Sequence, residues 1–189
     1  MPVWMIVVEW AARIILLLLV GLSIWSIQIM LERRSFYRQL LDDLPESNWD
    51  EHLRGQVRGE GFWHRAYAFL NKHRQPMAVD RAFETFHAQE NKHLEKGLSV
   101  LGSLGATAPF IGLLGTVLGI INAFGDLSMN SQNTNKIMFM LAEALILTAM
   151  GLAVAIPAVL AFNHFNRKRK EVWNRLTAMK NTYQNTLSE

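Results

Sequence analysis

Three apolar runs set the pattern of this 189-residue chain. The first is VWMIVVEWAARIILLLLVGLSIWSIQIML (3–31), the second SVLGSLGATAPFIGLLGTVLGIINAF (99–124), and the third IMFMLAEALILTAMGLAVAIPAVLAF (137–162). Each exceeds the roughly 20 apolar residues that carry a helix across a bilayer core. The pattern therefore predicts an all-α membrane protein with three transmembrane helices, over 1–31, 98–125 and 137–163. A helical segment over 32–97, a polar turn over 126–136 and a C-terminal helix over 164–189 complete the organisation.

The first run competes with a cleavable signal peptide. No basic stretch precedes it and no Ala-x-Ala site follows, so it is read as an uncleaved span, with Trp4, Trp10 and Trp25 suited to the interfaces at its ends. Glu9 and Arg13 lie four apart and can form a structural ion pair on one helix face.

Orientation follows from the cations. Arg33, Arg34 and Arg38 follow the first span, Lys92 and Lys96 precede the second, and Arg167, Lys168, Arg169 and Lys170 follow the third. The turn between the last two spans offers only Lys136. The positive-inside rule then places 32–97 and 166–189 in the cytoplasm as helical extensions of the spans, with the N-terminus outside.

Segment 32–97 carries 11 basic and 11 acidic residues, a balance suited to solvated helices. Breaks are expected at Pro45 and around Gly55, Gly59 and Gly61. From Pro76, placed as an N1 proline, helical spacing of Val79, Phe83, Phe86, Leu94, Leu98 and Leu101 predicts one helix running unbroken into the second span.

The last two spans are too smooth to be simple anchors. At 100° per residue, Gly105, Pro109, Gly112, Thr116 and Gly119 form one stripe of little side-chain bulk. Ala144, Thr148, Gly151, Ala155 and Val159 repeat the device on the third span. Such faces serve either close helix packing or a lined passage, and the two threonines favour the passage. Pro109 and Pro157 each remove a backbone hydrogen bond, with Thr107 placed near enough to compensate the first; a fixed bend and a widened lumen are both open.

Glu143 is the sharpest signal, because a carboxylate within a span costs several kcal/mol unless it faces protein or water. Thr148 stands five residues on, about 140° around the helix, so the two do not both point squarely into one lumen. One lines the path and the other holds a neighbouring helix.

At these residues the chain resembles the ExbB/TolQ proton-channel family, relatives of MotA. The segments APFIGLLGTVLGI (108–120) and LAEALILTAMGLAVAIPAVLAFNHF (141–165) carry the resemblance, with HLEKGLSVLGSLGAT leading into them. It implies that Thr116, Thr148 and Glu143 occupy pore-associated positions, with Gly105, Pro109, Gly112, Gly119, Ala144, Gly151 and Ala155 packing the pore face. It further implies a homo-oligomeric ring, a pentamer, around the helices of a small single-span ExbD- or TolR-like partner whose aspartate takes up protons. A TonB- or TolA-like protein would receive the work. By the same resemblance the location is the bacterial inner membrane, with a periplasmic N-terminus and turn. Three spans rather than four set the chain apart from MotA. Import of the TonB-dependent kind is favoured over the Tol-Pal and motility branches, and a structural scaffold without ion conduction is the contrasting reading.

Composition narrows the rest. A net charge of +3 is slight, and the cations sit beside the spans, which argues against nucleic-acid binding. Cysteine is absent, which excludes disulfides, thiolate metal sites and thiol nucleophiles. The histidines at 52, 64, 73, 87 and 93 lack metal-site spacing, and GLLGTVLG lacks the GK[ST] ending of a phosphate loop. With no Ser/His/Asp or HExxH arrangement, neither enzyme chemistry, metal nor cofactor is expected.

Overall fold

Backbone groups in a bilayer must satisfy one another, and a single chain of this apolar pattern does so by helices. The computed structural model of the chain describes residues 3–42, 61–73, 75–129 and 134–188, and every regular element among them is helical. In order these are α1 (Val3–Asp42), α2 (Phe62–Asn71), α3 (Pro76–Glu95), α4 (Leu98–Met129) and α5 (Thr134–Ser188). Helices α1, α4 and α5 are each long and apolar enough to cross a membrane.

The chain divides into two compact units. One comprises Met1–Leu31 with Ser99–Asn163, the other Glu32–Leu98 with His164–Glu189, so α1 and α5 contribute to both. The first unit is built around Leu19, Ala108, Val154 and Ala155, with Ile15, Leu22, Ile111 and Met150 packed against them. Its outer surface is apolar too: Ile14, Phe110, Leu145 and Leu160 are all exposed. In water such a surface would drive aggregation, whereas hydrocarbon accommodates it without cost.

The second unit has a conventional buried core. Val79, Phe83, Phe86 and Leu94 of α3 are buried, as is Leu98 just beyond it. The C-terminal part of α5 presents Val172, Leu176, Met179 and Tyr183 at helical spacing, all buried. Polar ties fix the ends of the helices in this unit. Arg33, itself buried, donates to the carbonyl of His93 at 3.0 Å, and the Tyr37 hydroxyl donates to that of Leu94 at 2.8 Å. These are C-terminal carbonyls of α3 that lack partners within the helix. Trp63 does the same for α1, its indole N–H donating to the Leu40 carbonyl at 2.9 Å.

The expected unbroken helix from Pro76 into the second span is corrected here. Helix α3 starts at Pro76 but ends at Glu95, and Gly97 adopts φ 75° before α4 begins at Leu98. That left-handed conformation is open to glycine at little cost, which is why the chain stops one helix and starts another at this residue. The expected breaks at Pro45, Gly55 and Gly59 lie outside the described residues, while Gly61 is the residue before α2. Of the residues expected in the polar turn, 126–129 belong to α4 and 134–136 to α5.

Candidate functional site

Within the chain, the two smooth faces meet each other. A Cβ built on Gly112 would lie 2.7 Å from the carbonyl oxygen of Leu147, and one on Gly151 would lie 2.6 Å from that of Ala108. At both positions the neighbour is backbone, which cannot swing aside, so only glycine lets the helices approach this far. The same seam continues at Gly105, which abuts Val159, and at Gly119, where an added Cβ would come within 2.5 Å of the Ala144 Cβ. On α5, Ala144 and Ala155 are buried, and on α4, Pro109 is half-buried. Of the two uses open to such faces, close packing is the one seen inside one copy of the chain.

The hydroxyls lie on this seam. Thr116 is buried and donates to the carbonyl of Leu113 at 2.7 Å, a bond back along its own helix. Thr148 is half-buried and points to two acceptors, the carbonyl of Gly112 and the hydroxyl of Thr116, each at 3.4 Å. Thr107 does not compensate Pro109 as expected. Its hydroxyl donates to Ser103 at 2.8 Å, whereas the carbonyl that loses its partner to the proline is that of Gly105. Both prolines lie inside continuous helices, Pro109 in α4 and Pro157 in α5.

Glu143 opens on a different side of α5. It is exposed, has no hydrogen-bond or ion-pair partner among the described residues, and lines a cleft of about 600 Å³ bounded by α1, α4 and α5. Glu9 and Arg13 line the same cleft, joined by an ion pair at 2.6 Å, with the guanidinium 5.6 Å from the centre of the Trp10 ring. Thr116 and Thr148 take no part in it. The hydroxyls and the carboxylate thus lie apart, while Gly119 and Ala144 of the seam also line the cleft.

One charged residue of the cleft, Asp126, escapes sequence reasoning. Asp126 is buried, its side chain only 4% exposed, and it pairs with Lys136 at 2.8 Å across the hairpin of α4 and α5. The sequence pattern places both residues in the polar turn. A signal was present, because Thr116, Gly119, Ala123 and Asp126 continue the spacing of the smooth stripe on α4.

Residues 51–178 match the MotA/TolQ/ExbB proton channel family. A biopolymer transport protein ExbB of Xanthomonas campestris pv. campestris is 45% identical over 95 residues, which are 50% of this chain and 38% of that protein. An ExbB of Neisseria gonorrhoeae is 46% identical over 93 residues, covering 49% of this chain and 42% of the relative. The Tol-Pal system protein TolQ of Pseudomonas aeruginosa is 39% identical over 107 residues, 56% of this chain and 46% of its own length. The matched stretch spans less than half of each of these relatives. With the seam, its hydroxyls and the last two spans all inside the matched region, the chain belongs to the MotA/TolQ/ExbB proton channel family.

Proposed function

We propose that the chain is the ring-forming, proton-conducting subunit of an ExbB–ExbD or TolQ–TolR type motor, which couples the proton gradient across the bacterial inner membrane to mechanical work in the envelope. The observation that carries the reading is the pair of hydroxyls, Thr116 and Thr148, 3.4 Å apart on two spans otherwise stripped of side-chain bulk. In a bilayer such groups cost free energy unless they serve a path or a contact.

In this reading a ring of five copies surrounds the helices of a small single-span partner bearing a membrane aspartate. Protonation of that aspartate removes its charge and changes which threonine hydroxyl it bonds, allowing the inner helices to turn against the ring. One proton crossing 100 mV delivers about 2.3 kcal/mol, so a few together suffice for a conformational step. Glu143 tunes the path from the opposite side of α5. The N-terminus and the α4–α5 turn face the periplasm, and residues 32–97 and 166–189 the cytoplasm. The driven protein is of TonB or TolA type, with nutrient import favoured over the Tol-Pal and motility branches by the ExbB relatives alone.

The test is proton flux into liposomes that hold the complex of this chain with its candidate partner. Flux is expected in the native complex and lost in Glu143→Ala, with the native mass of the ring unchanged. A ring that assembles normally but never passes protons, with any partner, would leave a scaffold whose smooth faces only pack.

A further inference from the structure

Where α3 gives way to α4, four consecutive residues are each tied to another helix. The His93 carbonyl accepts from Arg33 at 3.0 Å and the Leu94 carbonyl from Tyr37 at 2.8 Å, both donors lying on α1. Glu95 pairs with Arg169 of α5, and Lys96 with Glu32 of α1 at 3.6 Å. Gly97 follows at φ 75°, and Leu98, the first residue of α4, is buried within the same unit. The break between the helices is a pinned joint.

Arg33 is the costliest part of it. The residue is only 4% exposed, so its charge is held away from water. Besides the His93 carbonyl it donates to the Glu32 carboxylate at 2.8 Å, and its guanidinium carbon lies 4.8 Å from the centre of the Phe36 ring. For stability alone, a buried ion pair often does no better than apolar side chains of the same volume. What the planar guanidinium adds is direction, because its fixed donors meet a carbonyl and a carboxylate at once. Tyr37 is held in the same manner, stacked on Phe165 of α5 with 5.7 Å between ring centres.

Direction matters here because a helix inherits its rotational setting from its first turn. A slip of about 100° at Leu98, one residue's worth, would turn every later side chain of α4 by the same angle, Thr116 among them. The seam itself offers little against such a slip: Gly105, Gly112 and Gly119 let the backbones close but present no side chain to interlock. We propose that Arg33 is a positioning residue for the proton path: by pinning the α3–α4 joint it fixes the rotational setting of α4, and with it the Thr116 hydroxyl. The inference rests on the proton-channel reading and adds to it a residue that lies beyond the first span and handles no proton.

The test joins a distance to a flux. Because the chain has no native cysteine, Glu84→Cys on α3 and Ser99→Cys on α4 take spin labels on either side of Gly97, both at exposed positions. Labelled copies are diluted with unlabelled ones, and the complex with the candidate partner is studied by pulsed electron paramagnetic resonance, well below the melting midpoint of each variant. One narrow distance is expected in the native background and in Gly97→Asn, since asparagine tolerates the left-handed conformation. Gly97→Ala, strained in that conformation, and Arg33→Met, which strands the His93 carbonyl, are expected to shift or broaden it. Proton flux into liposomes should fall about tenfold in these two and hold in Gly97→Asn, with the mass of the complex unchanged, because displacements of about 1 Å suffice for such losses. Should Arg33→Met fail to assemble, Arg33→Lys, which keeps the charge but not the fork, takes its place. A distance as narrow in the Arg33 and Gly97→Ala variants as in the native background would overturn the joint, and full flux despite a broadened distance would overturn the positioning role. Flux missing from the native complex strikes at the channel reading instead, while the distances still judge the joint, so the two failures are distinct.

Discussion

The hydroxyl of Thr148 stands 3.4 Å from that of Thr116 across the seam of α4 and α5, and the same distance from the carbonyl of Gly112. Both separations exceed the 2.5–3.0 Å of a good O–H···O bond. Thr116 is differently placed, because its proton is already committed to Leu113 at 2.7 Å. Thr148 therefore holds the more readily redirected proton of the two.

Replacing Thr148 should separate chemistry from packing. Thr148→Val keeps the shape and removes the hydroxyl, and its cost in stability is expected to be under about 1 kcal/mol, as for other interhelical hydrogen bonds in membranes. Thr148→Ser restores the hydroxyl. Proton flux and energy-dependent uptake are expected to fall in the valine variant and to survive in the serine variant, with similar melting temperatures in detergent for all three proteins. Equal flux in the valine variant would show that the hydroxyl does nothing in conduction.

The glycines of the seam answer to geometry instead. Gly151→Val would drive a side chain against the Ala108 carbonyl, 2.6 Å from the new Cβ, and against Gly112, neither of which can retreat without moving a helix. The expected loss is about 1–3 kcal/mol, typical of overpacking. Gly21→Ala is the control, since a Cβ there meets nothing within 4 Å. Thermal denaturation of the detergent-solubilised protein should lower the midpoint for the first variant only.

The ion pair at the hairpin makes an asymmetric prediction. Asp126 is almost wholly buried, whereas the Lys136 side chain is 44% exposed. Lys136→Met strands a buried carboxylate and is expected to cost about 1–3 kcal/mol. Asp126→Asn leaves an amide and a cation that still reaches solvent, and should cost less. Adding Asp126→Asn to Lys136→Met is expected to recover part of the loss. A double-mutant cycle read by thermal unfolding checks the order; strict additivity would mean the pair contributes nothing.

How much of this was legible beforehand depends on what a pattern can encode. The three spans were plain, because hydrocarbon permits few alternatives to a long apolar helix. The smooth stripe of Gly105, Gly112 and Gly119 was plain too, but a helical wheel gives a face without saying what it meets. That it meets the Gly151 face in the same chain follows only from the packed structure. The break at Gly97 was masked by competing signals. Apolar spacing from Leu94 to Leu101 runs straight through it, while Lys92 and His93 in the last turn of α3 followed by glycine make an ordinary helix ending. Asp126 was hidden by its setting among polar turn residues, although its register on α4 placed it with Thr116 and Gly119. Glu143 was singled out from cost alone, yet its separation from Thr148 onto another side of α5 was readable from the five-residue interval.

The second unit should unfold more easily in alkali, and Tyr37 is the reason. Burial pushes its phenol up to about 12 from the ordinary 10.0, outweighing the nearby charges of Arg33 and Arg169, which pull the other way. The hydroxyl also donates to the Leu94 carbonyl at 2.8 Å, a bond that the phenolate cannot make. Below the ordinary value both the folded and unfolded chains hold the proton, so the contribution is fully present. Between about pH 10 and pH 12 the unfolded chain releases it while the folded one keeps it, and stability falls as pH rises through that window. Tyr37→Phe cannot titrate. It should begin less stable by about 1–3 kcal/mol, because the Leu94 carbonyl loses its partner, yet show a flatter decline over the same pH range. Thermal unfolding followed by circular dichroism from pH 9 upward separates the two effects. Parallel declines in both proteins would mean that another group carries the alkaline sensitivity.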